Sequence, residues 1–275
     1  MSVKAPDPLG DRMKIYERRE TTDRFMPTLP IYARLDGRGF SKFTKGMVRP
    51  FDERMSKAMI ETVRRLVEHT HALMGYTQSD EISLVWHVPN IESDVFFDGK
   101  KQKMVSVLAS LATAYFTRAI LDIGGDFAEY AKKMPHFDAR VFQLPSRTET
   151  ANAVLWRERD ATKNAISMAA SHYFSHKKLL HRNSAQKMEM LAEEGVVFAD
   201  YPQFFKHGTF LRRVTAERTL TTEERSRIPE NKQPPEGHTF MRSSVQTIDM
   251  PPFNSVLNRT EVIFDGAEPV VIGDE

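Results

Sequence analysis

Apolar and polar positions alternate over a short stretch near the front of the chain. Ile31, Ala33 and Leu35 alternate with Tyr32 and Arg34, which predicts a half-buried strand. Met55, Met59, Ile60, Val63, Leu66 and Val67 then recur at helical spacing and predict an amphipathic helix over 53–72, ended by Gly75. Ile82 to Trp86 is rich in β-formers, and 88–100, with Pro89-Asn90 and Asp98-Gly99, reads as a loop. A second helix is expected over 102–121, with Val105, Leu108, Leu111, Ala112, Tyr115, Phe116 and Ala119 near one stripe, stopped by Gly124-Gly125. Residues 138–144 read as a strand. Helices are expected over 151–181 and 183–194, the second closed by Gly195. Residues 1–30 look like an extended or partly helical lead-in, and 229–237 like a loop. The tail reads as a hairpin: Glu261 to Phe264, a turn at Asp265-Gly266, then Pro269 to Ile272.

The order strand, helix, hairpin, helix, strand is a split β-α-β arrangement. That is the order of a ferredoxin-like palm, though the arrangement hosts many functions; the expected fold class is α+β, a ferredoxin-like polymerase palm (antiparallel sheet with helices) plus helical and C-terminal extensions. The division expected is a catalytic core over 1–145. Residues 146–275 form a helical, RNA-contacting segment and a β-containing extension, packed with it as one globular unit.

Composition narrows the chemistry. The 275 residues include no cysteine, which removes disulfides, thiolate metal sites and a cysteine nucleophile together. No stretch approaches the roughly 18 apolar residues of a membrane span. The start, Met-Ser-Val-Lys-Ala-Pro-Asp-Pro, lacks a signal peptide's apolar centre. A cytoplasmic protein without a membrane partner is the expectation. The net charge of +2 argues for no particular partner, but its distribution does. Between Pro145 and Lys187 stand eight Lys or Arg against three acids (Glu149, Glu158, Asp160). Such a face, with Arg157, Arg159, Lys163 and Lys178, can track a phosphate backbone or be only a solvated helix face.

Two carboxylate clusters end strand-like segments. In Asp36-Gly37-Arg38-Gly39-Phe40 the glycines let backbone approach a ligand, and successive N–H groups of such a turn can hold a triphosphate. Asp36 would give a metal oxygen, with the Gly37 carbonyl as an extra ligand. In Gln78-Ser79-Asp80-Glu81, neighbouring residues of a strand point to opposite faces, so Asp80 and Glu81 reach one metal only if a turn intervenes. Asp80 is the expected ligand. Glu81 serves a second metal or stands behind the first, and Ser79 would bond a phosphate oxygen. Each segment alone is also an ordinary turn. Together they resemble the way a palm holds two Mg2+ ions, hard cations that take a few carboxylates plus substrate phosphates. His172 and His176 are four apart on a helix but are more often surface residues than ligands. No phosphate-binding Gly-x-x-x-x-Gly-Lys-Ser/Thr loop is present.

At Arg34-Leu35-Asp36-Gly37-Arg38-Gly39-Phe40 and Gln78-Ser79-Asp80-Glu81 the chain resembles the tRNA-histidine guanylyltransferase family, and its bacterial-type members above all. Phe137-Asp138-Ala139-Arg140, Trp156-Arg157 through Asp160 and Asn164, Asn183 to Leu191, Gly195 and Tyr201-Pro202 continue the likeness over most of 10–215. The resemblance implies a 3′-to-5′ nucleotide polymerase. ATP or GTP activates a 5′-monophosphate on the RNA, and the 3′-hydroxyl of an incoming NTP attacks it. It implies two Mg2+ ions on Asp36, Gly37 and Asp80, with Glu81 near them, and nucleotide contacts from Gly37 to Phe40 and at Arg49. It also implies Asn164 on the RNA side and a homotetramer. Two positions depart from the family: Thr162 stands for the His of its His-Ile-Asn-Asn motif, and Ser41 for the His that follows the first motif. Both departures fit templated repair of truncated tRNA 5′ ends better than untemplated addition of one guanosine to histidine tRNA. A palm-type nucleotide cyclase, which needs no basic face, and an RNA-binding protein with a relic palm are the other classes weighed.

Overall fold

The computed structural model describes residues 7–235 and 237–271. Its elements in order are α1 (Pro8–Thr21), β1 (Ile31–Gly37), α2 (Phe40–Phe43), α3 (Glu53–Thr70), β2 (Met74–Gln78), β3 (Glu81–Trp86), α4 (Lys101–Ile123) and β4 (Phe137–Gln143). There follow α5 (Arg147–Tyr173), α6 (His176–Leu179), α7 (Ser184–Glu193), α8 (Gln203–Lys206), β5 (Thr209–Thr219), α9 (Thr222–Ser226), β6 (Thr239–Ile248) and α10 (Arg259–Phe264). The fold mixes helices with one antiparallel sheet, in the order β4-β1-β3-β2-β5-β6.

Alternation along β1 decides what each face of the sheet meets. Ile31, Ala33 and Leu35 join Ile82, Leu84 and Trp86 under the apolar stripes of α3 and α4, including Met59, Val63, Leu66, Leu108 and Phe116. Tyr32, Val85, Met74 and Tyr76 turn to the other face and pack on Ala151, Val154 and Leu155 of α5 and on Phe253, Val262 and Ile263 from the tail. A third cluster gathers Ala165, Ala169 and Ala170 of α5 with Leu191 and Phe205, and Phe51 packs against it. Helix starts follow the capping rules. Asp52 accepts the Arg54 N–H at 3.0 Å ahead of α3, and Ser146 accepts the Glu149 N–H at 3.1 Å ahead of α5.

Several expectations need correction. Gly75 does not end α3, which stops at Thr70 with His71 in the left-handed region. Gly75 lies inside β2, where a Cβ would come within 2.4 Å of the Val63 side chain, so its glycine lets α3 settle onto the sheet. The helix expected over 151–181 starts earlier, at Arg147, and ends at Tyr173, because Phe174 turns extended and packs into the third cluster. The tail is not a hairpin. Glu261 to Phe264 belongs to α10, with Val262 and Ile263 buried, and only Val271 makes an isolated bridge, to Val256. Ile272 lies outside the described residues. β5 and β6 had no counterpart in the expectation. Because β5 pairs with β2, the sheet continues across residue 145. α4 has the length and apolarity of a membrane span, but Met104, Leu108, Ala112 and Phe116 bury one side of it in the core.

Candidate active site

The two carboxylate segments meet because β1 and β3 are neighbours. Asp36 stands directly opposite Glu81 in the β1–β3 ladder, and the Gly37 N–H donates to the Asp80 carbonyl at 3.0 Å. Ser79 and Asp80 form the two-residue loop between the paired Gln78 and Glu81. Ser79 has φ of 54°, a conformation that favours glycine and marks local strain of the kind stored at functional sites. That turn resolves the strand geometry: Asp80 and Glu81, adjacent in sequence, line one cavity with Asp36.

This cavity has a volume of about 830 Å³ and lies between the sheet and α5. Arg34, Arg49, Arg157 and Asn164 also line it. A second cavity of about 350 Å³ opens beyond the same turn, sharing Arg49, Gln78, Ser79 and Asp80, with a largely apolar wall of Met47, Phe51, Met55, Phe204 and Phe205. A polar, carboxylate-bearing chamber beside an apolar one suits a charged phosphate chain and a flat ring.

Burial first, and then the neighbouring Asp36 charge, push the Asp80 carboxyl up to about 6. Burial also raises Glu81, and Arg157 pulls it back only in part. The Arg157 guanidinium grips Glu81 with two bonds, of 2.6 and 2.7 Å, and reaches Asp160 at 3.0 Å. Arg157 is thus committed to carboxylates inside the cavity wall, tying α5 to β3. Arg159, Lys163 and Lys178 are exposed and line neither cavity.

The Asp36–Phe40 turn works differently from a simple run of free amides. The Gly37 and Arg38 N–H groups are already used, by the Asp80 and His136 carbonyls. None of the described hydrogen bonds uses the N–H of Gly39, Phe40 or Ser41, so the available donors sit later in the turn. Gly39 has φ of 70°, and Gly37 is required because a Cβ there would meet the Phe40 ring at 2.4 Å. That ring is buried among Phe43, Phe116 and Phe137, so Phe40 presents backbone rather than side chain.

Among the described residues no cluster of three or more His, Asp or Glu is arranged to hold a metal by itself. The donor set still fits Mg2+, which needs only one or two carboxylates when substrate phosphates complete its shell. Two close carboxylates, one already resisting ionisation, are a site that a cation relieves.

Some cavity residues had escaped the sequence reading. Arg34 was findable, since it lies two before Asp36 and shares its face. Phe204 and Phe205 reach the second cavity from a distant short helix, and nothing local signals that. His172, weighed as a surface or nucleic-acid-facing residue, is exposed and lines the larger cavity.

The family model Thg1: tRNAHis guanylyltransferase matches residues 10–145. A tRNA(His) guanylyltransferase of Neurospora crassa is 28% identical over 218 residues, covering 74% of this chain and 73% of its own. A bacterial tRNA(HIS) guanylyltransferase (Thg1)-like protein in complex with ATP has a TM-score of 0.74 at 29% identity, covering 93% of this chain and 99% of that one. The corresponding structure in complex with GTP gives a TM-score of 0.69 at 28% identity, covering 90% and 94%.

Proposed function

This chain belongs to the tRNAHis guanylyltransferase family, whose members are nucleotidyltransferases, and we propose that it adds nucleotides in the 3′-to-5′ direction to the 5′ end of tRNA or tRNA-like RNA, templated by the opposing strand. The observation that carries the reading is the meeting of Asp36 and Asp80 in one cavity, with Asp80 held up at about 6 by burial and by Asp36. In this reading the four strands β1 to β4 act as a polymerase palm.

Asp36, Asp80 and the Gly37 carbonyl would hold two Mg2+ ions, which supply charge neutralisation for the attacking and leaving oxygens of phosphoryl transfer. The chain's own groups do the rest. The N–H groups of Gly39, Phe40 and Ser41 receive phosphate oxygens. Arg49 is exposed, makes no ion pair among the described residues and stands on the wall shared by both cavities, where it can follow a triphosphate. Glu81, gripped by Arg157, holds β3 against α5 and keeps the cavity open between them. In this reading the 5′-monophosphate of the RNA attacks the α-phosphorus of ATP, releasing pyrophosphate and leaving an adenylyl adduct, and the 3′-hydroxyl of the incoming NTP then attacks the activated RNA phosphate, losing its proton and expelling AMP. The ATP and GTP complexes of the bacterial Thg1-like protein support two nucleotide roles on this fold. We place the protein in the cytosol, as a homotetramer.

Templating is favoured by Thr162. Its hydroxyl bonds the Lys206 carbonyl at 3.0 Å, it lies 3.2 Å from His207 Nδ1, and it lines neither cavity. In this reading the side chain at that position contacts no base, and selection falls to pairing. A mispair that leaves a buried polar group unsatisfied costs about 1–3 kcal/mol, or roughly ten- to a hundredfold in choice. The test is 5′-monophosphorylated tRNA lacking its first nucleotide, offered with each opposing base, each NTP and Mg2+. Addition of the complementary nucleotide supports the reading. Addition of G whatever stands opposite replaces it with untemplated guanylylation, and no addition overturns it.

A further inference from the structure

α5 carries two exposed large aromatic side chains, Trp156 and Tyr173; Tyr173, in the last turn, has Tyr201 as a hydrogen-bond partner, whereas the packing of α5 does not explain Trp156. Val154 and Leu155 are buried against the sheet, but Trp156 is 54% exposed. The chain has two tryptophans, and the other, Trp86, is buried at 2% with its Nε1–H on the Thr70 carbonyl at 3.0 Å. Trp156 lines neither cavity, yet it stands at the edge of the larger one. The guanidinium carbons of Arg157 and Arg34, both cavity residues, lie 4.5 and 5.6 Å from its ring centroid.

The charges around this ring are unusual. Arg34 sits directly opposite Arg140 in the β1–β4 ladder. Like charges opposite each other on neighbouring strands are destabilising. Arg34 makes no ion pair among the described residues, and Arg140 reaches a carboxylate, Asp138, only at 3.9 Å. On α5, Arg159 and Lys163 follow Trp156 at three and seven positions, so they share its face, and both are exposed. An exposed aromatic ring is therefore bordered by four cations that are unpaired or weakly paired, on the side of the sheet that carries Asp36. Base stacking on an aromatic side chain, with phosphates on adjacent cations, is the chemistry this arrangement fits.

We propose that Trp156 is the platform on which the terminal base pair of the RNA stacks, with Arg34, Arg140, Arg159 and Lys163 taking the phosphates of its last nucleotides. The inference rests on the RNA-end reading above and says where that end sits. RNA is favoured over a free nucleotide for two reasons. The ring lies outside both cavities, and the cations are distributed over two strands and a helix face rather than gathered in one pocket.

The experiment uses the full chain and a short RNA duplex bearing a 5′-monophosphate, with no nucleotide present. Binding is then read independently of turnover. If the wild-type protein extends no RNA but still binds the duplex end through Trp156, the functional reading falls while this one stands. Indole emission is recorded for the wild type and for Trp156→Phe, which leaves only buried Trp86. Duplex should quench the wild-type emission and leave that of Trp156→Phe unchanged. Trp156→Ala should weaken duplex binding by about five- to a hundredfold, the usual range for a lost stacking partner, while Trp156→Phe restores most of it. The KM for the nucleoside triphosphate should not move in either variant. Three outcomes overturn the proposal: quenching by NTP alone with a shift in its KM, which would make Trp156 a nucleotide contact; equal duplex affinity in Trp156→Ala and wild type; or no rescue by Phe.

Discussion

Replacing Asp80 with Asn should stabilise the metal-free protein at neutral pH while abolishing nucleotide addition. Burial and the Asp36 charge raise the Asp80 carboxyl from 3.8 to about 6. At 1.36 kcal/mol per pH unit, holding it ionised costs the folded state about 3 kcal/mol. The sign follows from proton counts. Between about pH 4 and pH 6 the folded protein keeps a proton that the unfolded chain has released, so wild-type stability falls as pH rises through that window. Above it the full cost is present, and below about pH 4 none is. Asn carries no charge and can still accept the Ser79 hydroxyl, which lies 3.1 Å from Asp80 Oδ1. At about 2–4 °C per kcal/mol, the variant should melt roughly 6–12 °C higher at pH 7, and this gap should close in acid. Thermal unfolding with chelator, from about pH 4 to pH 8, measures it. Mg2+ with NTP should narrow the gap by stabilising only the wild type. An unchanged or lower melting point at pH 7, or a gap that persists at pH 4, would refute the cost assigned to the ionised Asp80 carboxylate, from burial first and the Asp36 charge second.

Asp36→Ala should likewise abolish addition with the far-UV spectrum unchanged, and turnover near that of the wild type would remove Asp36 from the metal site. Arg157→Ala strands Glu81 in a buried wall without its guanidinium, so urea unfolding should show a loss of about 3–5 kcal/mol; a loss below about 1 kcal/mol would mean that water replaces the pair. Charge reversal at Arg159, Lys163 and Lys178 together should weaken tRNA binding and flatten its dependence on salt, and equal slopes would move the RNA face elsewhere.

The parts of the fold legible in the sequence are those in which one face is completely covered by apolar side chains at a regular period. β1 alternates cleanly because α3 and α4 cover Ile31, Ala33 and Leu35 while Arg34 and Asp36 face the cavity. α3 shows its stripe for the same reason. β5 and β6 gave no such signal, because beyond Arg212 their residues pair only with each other and are mostly open to water on both faces. No apolar alternation is needed there. α10 misled because Val262-Ile263-Phe264 is a short apolar run, which periodicity cannot assign to helix or strand. At the site, the carboxylates were readable as local motifs. The grip of Arg157 on Glu81 was not, since it joins residues 76 positions apart and depends on how α5 lies across the sheet.

The pairing of β2 with β5 has a consequence for how the chain is made. About 140 residues separate Gln78 from the end of β5 at Thr219. At roughly 5–20 residues per second a ribosome needs about 7–28 seconds to supply that partner. Through this interval β2 offers an open ladder to any passing strand. Tyr32, Met74, Tyr76 and Val85 meanwhile wait for Phe253, Val262 and Ile263, which emerge later still. A nascent chain stalled between residues 173 and 209 would already carry Asp36, Asp80, Glu81 and the helices α3, α4 and α5 that cover the sheet, but would lack the strand that closes the edge at β2 and the tail residues that complete the cover over Tyr32 and Tyr76.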